Sequence, residues 1–228
     1  MKILEKEIGE NKPVFIVAEA GINHNGSLKI AKKIISEAKK SGADAIKFQM
    51  FSADDLATKN SKYYQLFKKL ELSDLDFEEL NNFARLKKII FFASPFSNHA
   101  VDQLEKLQVP VYKIASGDLT NLPLIEYVAK KKKPIIISTG MSNIKEIKET
   151  LLKIKKINNR IILLHSVSGY PTPIREVNLK VIQSLKSKFP YAVGFSDNGI
   201  DQLVPLVAVS MGAKIIEKHF TLNKNMKG

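Results

Sequence analysis

Two lysines lie inside apolar stretches of this sequence, where a positive charge is costly. Lys47 occurs in AIKFQ at 45–49, and Lys113 occurs in YKIASGD at 112–118. Side chains alternate between the two faces of a strand, so Lys47 shares a face with Gln49 while their apolar neighbours face the other way. A buried lysine is stabilised when it meets an anion. The pattern therefore predicts that both lysines bind a phosphate or a carboxylate, and a structural ion pair is the alternative.

Hydroxyl side chains end several other apolar stretches, next to residues that form turns. They are Ser94 before Pro95, Ser116 before Gly117, Ser138 and Thr139 before Gly140, and Ser196 before Asp197. Hydroxyl groups and turn amides bind phosphate oxygens, although serine in such places also caps helices. Together with the lysines they predict a site for a phosphate or carboxylate. The sequence has no Walker loop and no dinucleotide fingerprint, so a nucleotide is not predicted.

Two further residues could move protons or hold a metal. Glu19 ends an apolar stretch and precedes a turn rich in glycine and asparagine, where a carboxylate can act in acid–base chemistry. His219 ends the last apolar stretch, and strand alternation places Glu217 on the same face. A divalent cation needs more ligands than this one histidine. A turn residue and a hydrogen-bonded core histidine are the structural alternatives.

The apolar stretches recur as short β-branched runs separated by amphipathic ones. Eight strands are predicted, near Val14–Ala18, Ala45–Phe48, Ile89–Ala93, Val111–Ala115, Pro134–Ser138, Ile161–His165, Tyr191–Phe195 and Lys214–His219. Helices are predicted between them from apolar residues at three-four spacing. One is expected to follow Ser142 or Asn143 as its cap, and another to follow Ser73 and an acidic first turn. Eight alternating strands and helices predict an α/β fold, the (β/α)8 TIM barrel, with its active site at the carboxyl ends of the strands.

The sequence predicts one domain over residues 1–228, because no low-complexity linker divides it. After the eighth strand only Thr221 to Gly228 remain, which is too short for the closing eighth helix. The expected barrel therefore lacks its final helix, and we expect a fragment or a truncated gene product.

Composition narrows the class of protein further. The net charge is +13, but the lysine runs precede strands at helix ends, where they complement the helix dipole and stay solvated. No aromatic residues interleave with them as a stacking platform for bases requires, so nucleic acid is not an expected partner. Cysteine is absent, which excludes disulfides and zinc–thiolate sites. Without a membrane-length apolar run or a secretory signal, a cytoplasmic enzyme is expected, with no membrane partner.

Taken together, the motifs resemble the sialic acid synthase family, which makes N-acetylneuraminate, legionaminate and pseudaminate. The resemblance covers essentially the whole chain. It rests on FIVAEAGINHNG at 15–26, AIKFQ at 45–49, YKIASGD at 112–118, PIIISTGM at 134–141, LLHSVSGYPTP at 163–173, GFSDN at 194–198 and GAKIIEKHFTL at 212–222.

The resemblance implies that phosphoenolpyruvate condenses with an N-acylated mannosamine-type or 2,4-diacetamido sugar, with water, and releases phosphate. It assigns the phosphate and carboxylate of phosphoenolpyruvate to Lys47, Lys113, Ser94, Ser116, Ser138 and Ser196. It places Gln49, Asp118 and Tyr170 at the sugar and makes Glu19 a helper in proton or water handling. Ser168 and Asp197 are also assigned to the substrates. His219 and Asn198 would hold a divalent metal, Mn²⁺ or Mg²⁺, that polarises the sugar aldehyde.

The sequence departs from the family pattern at three of these positions. Asn198 stands where histidine is common, Asp118 where glutamate is common, and Ser168 where asparagine is common. An amide oxygen binds a hard cation but does so more weakly than imidazole binds a borderline one. The family also continues into an eighth helix and a C-terminal antifreeze-like domain, which caps the partner's site in a homodimer. We therefore expect this polypeptide alone to be poorly active.

Other functions remain open on the sequence. One is another phosphoenolpyruvate-dependent keto-sugar-acid synthase on the same scaffold. A second is a Schiff-base aldolase, which would use Lys47 or Lys113 as a nucleophile. The third is a non-catalytic barrel that binds phosphoenolpyruvate or assembles with a partner, for which Asn198 is the feature in favour.

Overall fold

The computed structural model of the protein describes residues 1–226. The predicted domain end at Gly228 lies outside these residues. The chain forms two compact units, here called the larger unit (Met1–Val17 and Pro110–Lys218) and the smaller unit (Ala18–Val109 with residues 219–226).

The strands of the described chain follow the predicted order. A short antiparallel hairpin, β1 (Lys2–Ile3) and β2 (Lys6–Glu7), comes first. Eight longer strands follow: β3 (Phe15–Gly21), β4 (Ala45–Met50), β5 (Ile90–Pro95), β6 (Tyr112–Ile114), β7 (Ile135–Ser138), β8 (Ile161–Ser166), β9 (Ala192–Asp197) and β10 (Ile215–His219). In the smaller unit the hydrogen-bonded order is β5-β4-β3, and in the larger unit it runs from the start of β3 through β10, β9, β8 and β7 to β6.

Helices separate these strands. They are α1 (Leu28–Lys40), α2 (Ala53–Leu56), α3 (Tyr64–Leu70), α4 (Asp74–Leu86), α5 (Asn98–Lys106), α6 (Leu122–Lys130), α7 (Ile144–Ile154), α8 (Lys180–Lys188) and α9 (Leu203–Ser210). Ser73, which was predicted to precede a helix, caps α4 by accepting a hydrogen bond from the backbone N–H of Asp76. Asn143, rather than Ser142, caps α7 through its side-chain oxygen. None of the helices within residues 1–226 is both long enough and apolar enough to cross a membrane.

All eight predicted strands are present, with ends displaced by a few residues. The ladders β4–β5, β6–β7, β7–β8, β8–β9 and β9–β10 are parallel. Strands β7 and β8 are buried along their whole length, as parallel strands covered on both faces require. The sequence did not predict the hairpin or helices α2 and α3. Among the described residues no helix follows β10, which agrees with the predicted lack of a final helix.

Two packing features of the larger unit are the close approach of β9 and β10 and the exposed apolar residues of α9. At Gly194 in β9 an added Cβ would lie 2.5 Å from the carbonyl oxygen of Ile215, so neighbouring β10 approaches too closely for any side chain. Helix α9 is apolar on most sides and leaves Leu203, Leu206 and Val207 exposed.

Candidate active site

In the smaller unit, Lys47 on β4 is held by a protein carboxylate. Its Nζ lies 2.7 Å from Oε2 of Glu19, and the two side chains are each 4% exposed. The face of Lys47 predicted by strand alternation is therefore the buried one. The structure supplies an anion from within the chain, so the ion pair considered as the alternative is present.

Gln49 and Ser94 extend this pair into a polar cluster. Gln49 Nε2 donates to Glu19 Oε1 over 3.3 Å, and Lys47 Nζ donates to Ser94 Oγ over 3.4 Å. Parallel pairing of β4 with β5 sets Gln49 opposite Ser94. The structure thus brings together four residues that the sequence predicted for the site.

His219 lies near this cluster, beside Gly21 at the end of β3. An added Cβ on Gly21 would be 3.4 Å from Glu19 Oε1 and 3.7 Å from His219 Nδ1. The carboxylate and the imidazole therefore flank one α-carbon. Gly21 has φ +52°, a conformation that favours glycine, so the residue type keeps this approach open.

His24 lies in the turn after β3 and is 1% exposed. The backbone N–H of Gly26 donates to its Nδ1 over 3.1 Å, which leaves the proton of the neutral ring on Nε2. Within residues 1–226 that buried Nε2 has no hydrogen-bond partner. Burial lowers the pKa of His24 to about 4, and the charge of Asp76 partly offsets this effect. His24 is therefore a neutral ring at physiological pH.

In the larger unit, Lys113 on β6 also meets a glutamate. Its Nζ lies 3.2 Å from Oε1 of Glu217, and these side chains are 4% and 5% exposed. Ser196 donates its hydroxyl proton to the same Oε1 over 2.9 Å. The β9–β10 register sets Glu217 directly opposite Ser196. Lys113 and Ser196, both predicted site residues, are thus joined through a carboxylate that the sequence did not assign.

Ser116 and Ser168 form a cradle around Gly140, which follows β7. The backbone N–H of Gly140 donates to Ser116 Oγ over 3.2 Å. A Cβ added at Gly140 would lie 2.8 Å from the hydroxyl oxygens of both Ser116 and Ser168. Glycine is therefore required where two hydroxyl groups converge, which is a geometry suited to phosphate oxygens.

Ser138, at the end of β7, is 2% exposed. Its hydroxyl has no hydrogen-bond partner within the described residues. A buried hydroxyl of this kind costs free energy unless a ligand or water satisfies it. This is the observation of the larger unit that most directly points to a bound anion.

Asp118 and Tyr170 lie at more open positions of the larger unit. Asp118 accepts a hydrogen bond of 3.2 Å from Asn121 Nδ2. Burial raises its pKa, and the Asn121 hydrogen bond partly opposes that rise. Tyr170 is 70% exposed. Asp118 is partly exposed and Tyr170 is exposed, so solvent reaches both side chains.

Asn198 follows β9, and its amide orientation is fixed. Nδ2 donates to the carbonyl oxygen of Val167 over 2.7 Å. A carbonyl accepts only from the amide nitrogen, so Oδ1 is the acceptor that the residue presents elsewhere. The preceding Asp197 is 1% exposed and forms an ion pair with Lys218.

The two predicted metal ligands belong to different units, Asn198 to the larger and His219 to the smaller, so each is described by its own donor chemistry. No three His, Cys, Asp or Glu side chains among residues 1–226 are grouped to hold a metal. The amide oxygen of Asn198 is a ligand type that Mg²⁺ and Mn²⁺ accept, and His219 offers an imidazole nitrogen.

Sequence reasoning missed Glu217, Lys218 and the role of Gly140. Glu217 was placed on the face of His219, but its partner Lys113 is about a hundred residues away in the chain. The signal available was a carboxylate inside an apolar strand, as improbable without a partner as the lysines themselves.

The clusters of the two units use the same chemical device. In each, a buried lysine is paired with a buried glutamate. Lys47 also donates directly to a serine hydroxyl, whereas in the Lys113 pair the serine donates to the glutamate. Such groups can bind anionic oxygens and can pass protons between carboxylate and hydroxyl groups. This is chemistry for a phosphorylated or carboxylated substrate.

The model of the NeuB family matches residues 34–228 of the chain. The chain is 52% identical over 229 residues to an uncharacterized protein of Methanocaldococcus jannaschii, covering 100% of this chain and 68% of that protein. It is 44% identical over 234 residues to the N,N'-diacetyllegionaminic acid synthase of Campylobacter jejuni, covering 95% and 70%.

A solved structure shows the same fold. The N-acetylneuraminic acid (sialic acid) synthetase of Leptospira borgpetersenii, determined in complex with citrate, superposes with a TM-score of 0.97 at 38% identity. The alignment covers 100% of this chain and 80% of that one. The predicted (β/α)8 TIM-barrel fold class is therefore confirmed, and so is the resemblance to the sialic acid synthases. The chain belongs to the NeuB family of sialic, legionaminic and pseudaminic acid synthases.

Proposed function

We propose that this chain condenses phosphoenolpyruvate with an N-acylated amino sugar to form a nonulosonic acid. Carbon 3 of phosphoenolpyruvate forms a bond to the aldehyde carbon of the open-chain sugar. Water adds its oxygen to carbon 2, and the bond from carbon 2 to the phosphate oxygen breaks. The products are one nine-carbon keto acid and one inorganic phosphate, so the atoms of both substrates and the water are accounted for.

The observation that carries this proposal is the hydroxyl cradle of the larger unit. Ser116 and Ser168 converge where Gly140 excludes a side chain, and the buried hydroxyl of Ser138 has no partner among the described residues. Hydroxyl donors held in place before a phosphoryl group binds stabilise it with little reorganisation cost. In the proposal these groups bind the phosphate, with Lys113 as the cation and Ser94 as a remaining candidate for contact with phosphoenolpyruvate, while Ser196 orients the Glu217 carboxylate beside Lys113.

The smaller unit contributes a proton-handling group. Glu19 is paired with Lys47 and accepts a hydrogen bond from Gln49, so its carboxylate is oriented before substrate arrives. In the proposal Lys47 binds the carboxylate of phosphoenolpyruvate and Glu19 assists the addition of water. Gln49, Asp118 and Tyr170 contact the sugar.

The proposal includes a divalent cation, Mn²⁺ or Mg²⁺, with His219 and Asn198 as its protein ligands. When bound, it supplies Lewis-acid polarisation of the sugar aldehyde. The proposed setting is the cytoplasm, and the resemblance implies a homodimer for full-length family members.

The test is phosphate release from phosphoenolpyruvate by the purified chain with Mn²⁺. A panel of N-acylated mannosamine-type and 2,4-diacetamido sugars is supplied, each against a reaction without sugar. Sugar-dependent release is expected and would identify the sugar. Absence of release with every sugar, while phosphoenolpyruvate still binds, would replace the synthase by a non-catalytic binding barrel, a reading for which Asn198 is the supporting feature.

A Schiff-base aldolase is disfavoured by the same geometry. An amine nucleophile must lose its proton, whereas a carboxylate 2.7 Å from Lys47 and another 3.2 Å from Lys113 stabilise the ammonium form. Borohydride treatment with pyruvate is therefore expected to leave the mass of the chain unchanged. A mass increase on either lysine would reverse this assignment.

A further inference from the structure

Lys218, the residue before His219, joins three groups of one turn. Its Nζ forms an ion pair with Oδ2 of Asp197 and donates to the carbonyl oxygens of Gly199 over 2.9 Å and Asp201 over 3.4 Å. An ammonium group has three protons to donate. All three are therefore matched by acceptors within residues 197–201.

The Asp197 carboxylate binds both Lys218 and the backbone of the turn. It is 1% exposed, and its Oδ1 accepts the backbone N–H of Gly199 over 2.8 Å. Both carboxylate oxygens are thus engaged inside the protein. A side chain so placed acts on the backbone of the turn rather than on a substrate.

Asn198 lies inside the turn that these two residues hold. Its backbone carbonyl accepts from the N–H of Thr172 over 3.1 Å, and its Nδ2 donates to the Val167 carbonyl over 2.7 Å. The orientation of the Asn198 side-chain amide therefore depends on the position of the backbone at residues 198 and 199. The β9–β10 register sets Lys218 directly opposite Asp197, so the fixing point is a rigid strand pair.

We infer that Lys218 and Asp197 are positioning residues that hold the turn at 198–201, so that Oδ1 of Asn198 is presented in one direction. The inference deepens the proposed function, on which it rests, because Asn198 is a proposed metal ligand there. It also gives Asp197 a role different from the substrate contact predicted by the sequence.

The matched control is Lys214, which immediately precedes β10, the strand that contains Lys218. Lys214 forms an ion pair of 2.6 Å with Glu10, and its side chain is 17% exposed, against 32% for Lys218. Lys214→Met removes the ion pair between a part-buried lysine and the exposed Glu10, whose side chain is 69% exposed, and it touches no residue of the turn. Any effect shared by Lys214→Met and Lys218→Met is a general effect of losing such a pair.

The first measurement is hydrogen exchange of single amides by NMR in the metal-free chain. Lys218→Met should speed exchange at Gly199 and Thr172 by about tenfold or more, because charge-assisted hydrogen bonds that fix the turn are lost. Lys218→Arg should restore slow exchange, since a guanidinium group can reach the same acceptors. Equal exchange at these amides in Lys218→Met and Lys214→Met, or a uniform rise across the chain, would overturn the inference.

The double variant Asp197→Asn/Lys218→Met separates positioning from charge compensation. It leaves no buried carboxylate without a cation, yet the carbonyls of Gly199 and Asp201 still lack their donor. Exchange at Gly199 and Thr172 should therefore stay fast. Full return to the wild-type rates would show that Lys218 only neutralises Asp197, and the positioning role would be wrong.

Kinetics then connects the turn to the reaction. Lys218→Met should lower kcat for phosphate release by about tenfold or more while KM for phosphoenolpyruvate changes little, since the turn does not hold that substrate. An unchanged kcat would overturn the link to catalysis. If the wild-type chain shows no sugar-dependent release, the proposed synthase fails, whereas the exchange rates still decide whether Lys218 positions the turn.

Discussion

Lys47 and Lys113 carry their charges where water hardly reaches, and each lies beside a glutamate. A buried pair gains little net stability over apolar residues of the same size, yet removing one partner leaves an uncompensated charge. Glu19 and Glu217 thus fix the position of each ammonium group even without ligand. In the proposed function each pair places a cation where the substrate binds.

Lys47→Met is expected to destabilise the chain by about 3–5 kcal/mol, because it leaves the Glu19 carboxylate buried without its cation. Urea unfolding measures this change. Glu19→Gln/Lys47→Met should be clearly less destabilised than Lys47→Met alone.

Lys68→Met is the matched control for that experiment. Lys68 is 55% exposed and pairs with Glu71 on the surface, so its loss should cost about 1 kcal/mol or less. If both substitutions lowered the free energy of unfolding equally, the Lys47–Glu19 pair would contribute no more than an exposed ion pair.

For single residues, the sequence predicts which polar side chains are buried better than it predicts the partners that they bind. Strand alternation is enough to point Lys47 and Gln49 to one face. The pairing of Lys113 with Glu217 depends on the register of distant strands, which residue types and spacing do not encode. Asp197 illustrates the same limit, since its engagement with Lys218 becomes visible only when β9 and β10 are placed side by side.

Among the elements, the turn after β3 depends on one glycine. Gly26 has φ +70°, and an added Cβ would lie 2.0 Å from the carbonyl oxygen of Lys69. The backbone of residues 69–70 therefore packs directly against the turn that places His24.

Gly26→Ala is expected to destabilise the protein by about 2–5 kcal/mol, from left-handed strain together with the steric clash. Gly42→Ala is the control, since Gly42 has φ +84° but no atom within 4 Å of an added Cβ. That substitution should cost only about 1–2 kcal/mol of backbone strain. The urea midpoints of the two variants would coincide if the contact with Lys69 were unimportant.

Gly140→Ala is expected to weaken phosphoenolpyruvate binding by about tenfold or more, because the new methyl group displaces the hydroxyls of Ser116 and Ser168. Isothermal titration with phosphoenolpyruvate measures it. At Gly117 an added Cβ would meet only Met141, at 3.9 Å, so Gly117→Ala should bind normally. Unchanged affinity in Gly140→Ala would remove the cradle from the proposed phosphate site.

The elements themselves were largely predictable. Strands and long helices such as α1 and α7 follow from apolar spacing over many residues. Helices α2 and α3 span four and seven residues, too few for a periodic pattern to emerge. The hairpin β1–β2 has only two residues in each strand, and the same reason applies to it.

For the molecule as a whole, the buried histidines link stability to pH. His24 titrates near pH 4 when folded and near 6.5 as a free group, so the unfolded chain binds more protons between these values. The free energy of unfolding should therefore fall as the pH is lowered from 6.5 to 4, by about 3 kcal/mol in total. Burial also lowers the pKa of His165, which adds a loss of the same sign.

His24→Asn should flatten the dependence of the unfolding free energy on pH in this window. The asparagine Oδ1 can still accept from Gly26 N–H but does not titrate. Denaturant titrations at several pH values measure the wild-type chain and the variant, and identical slopes would dismiss His24 as the titrating group.

The buried hydroxyl of Ser138, which has no hydrogen-bond partner within the described residues, makes the melting temperature a reporter of ligand binding. A ligand that binds only the folded chain stabilises it by about 2.7 kcal/mol at a hundred times its dissociation constant, and satisfying a buried donor adds to that affinity. Phosphoenolpyruvate, or inorganic phosphate alone, should raise the melting temperature, and less so in Ser138→Ala. Dye-based melting curves could then sort a library of candidate acids and phosphates without any turnover being detected.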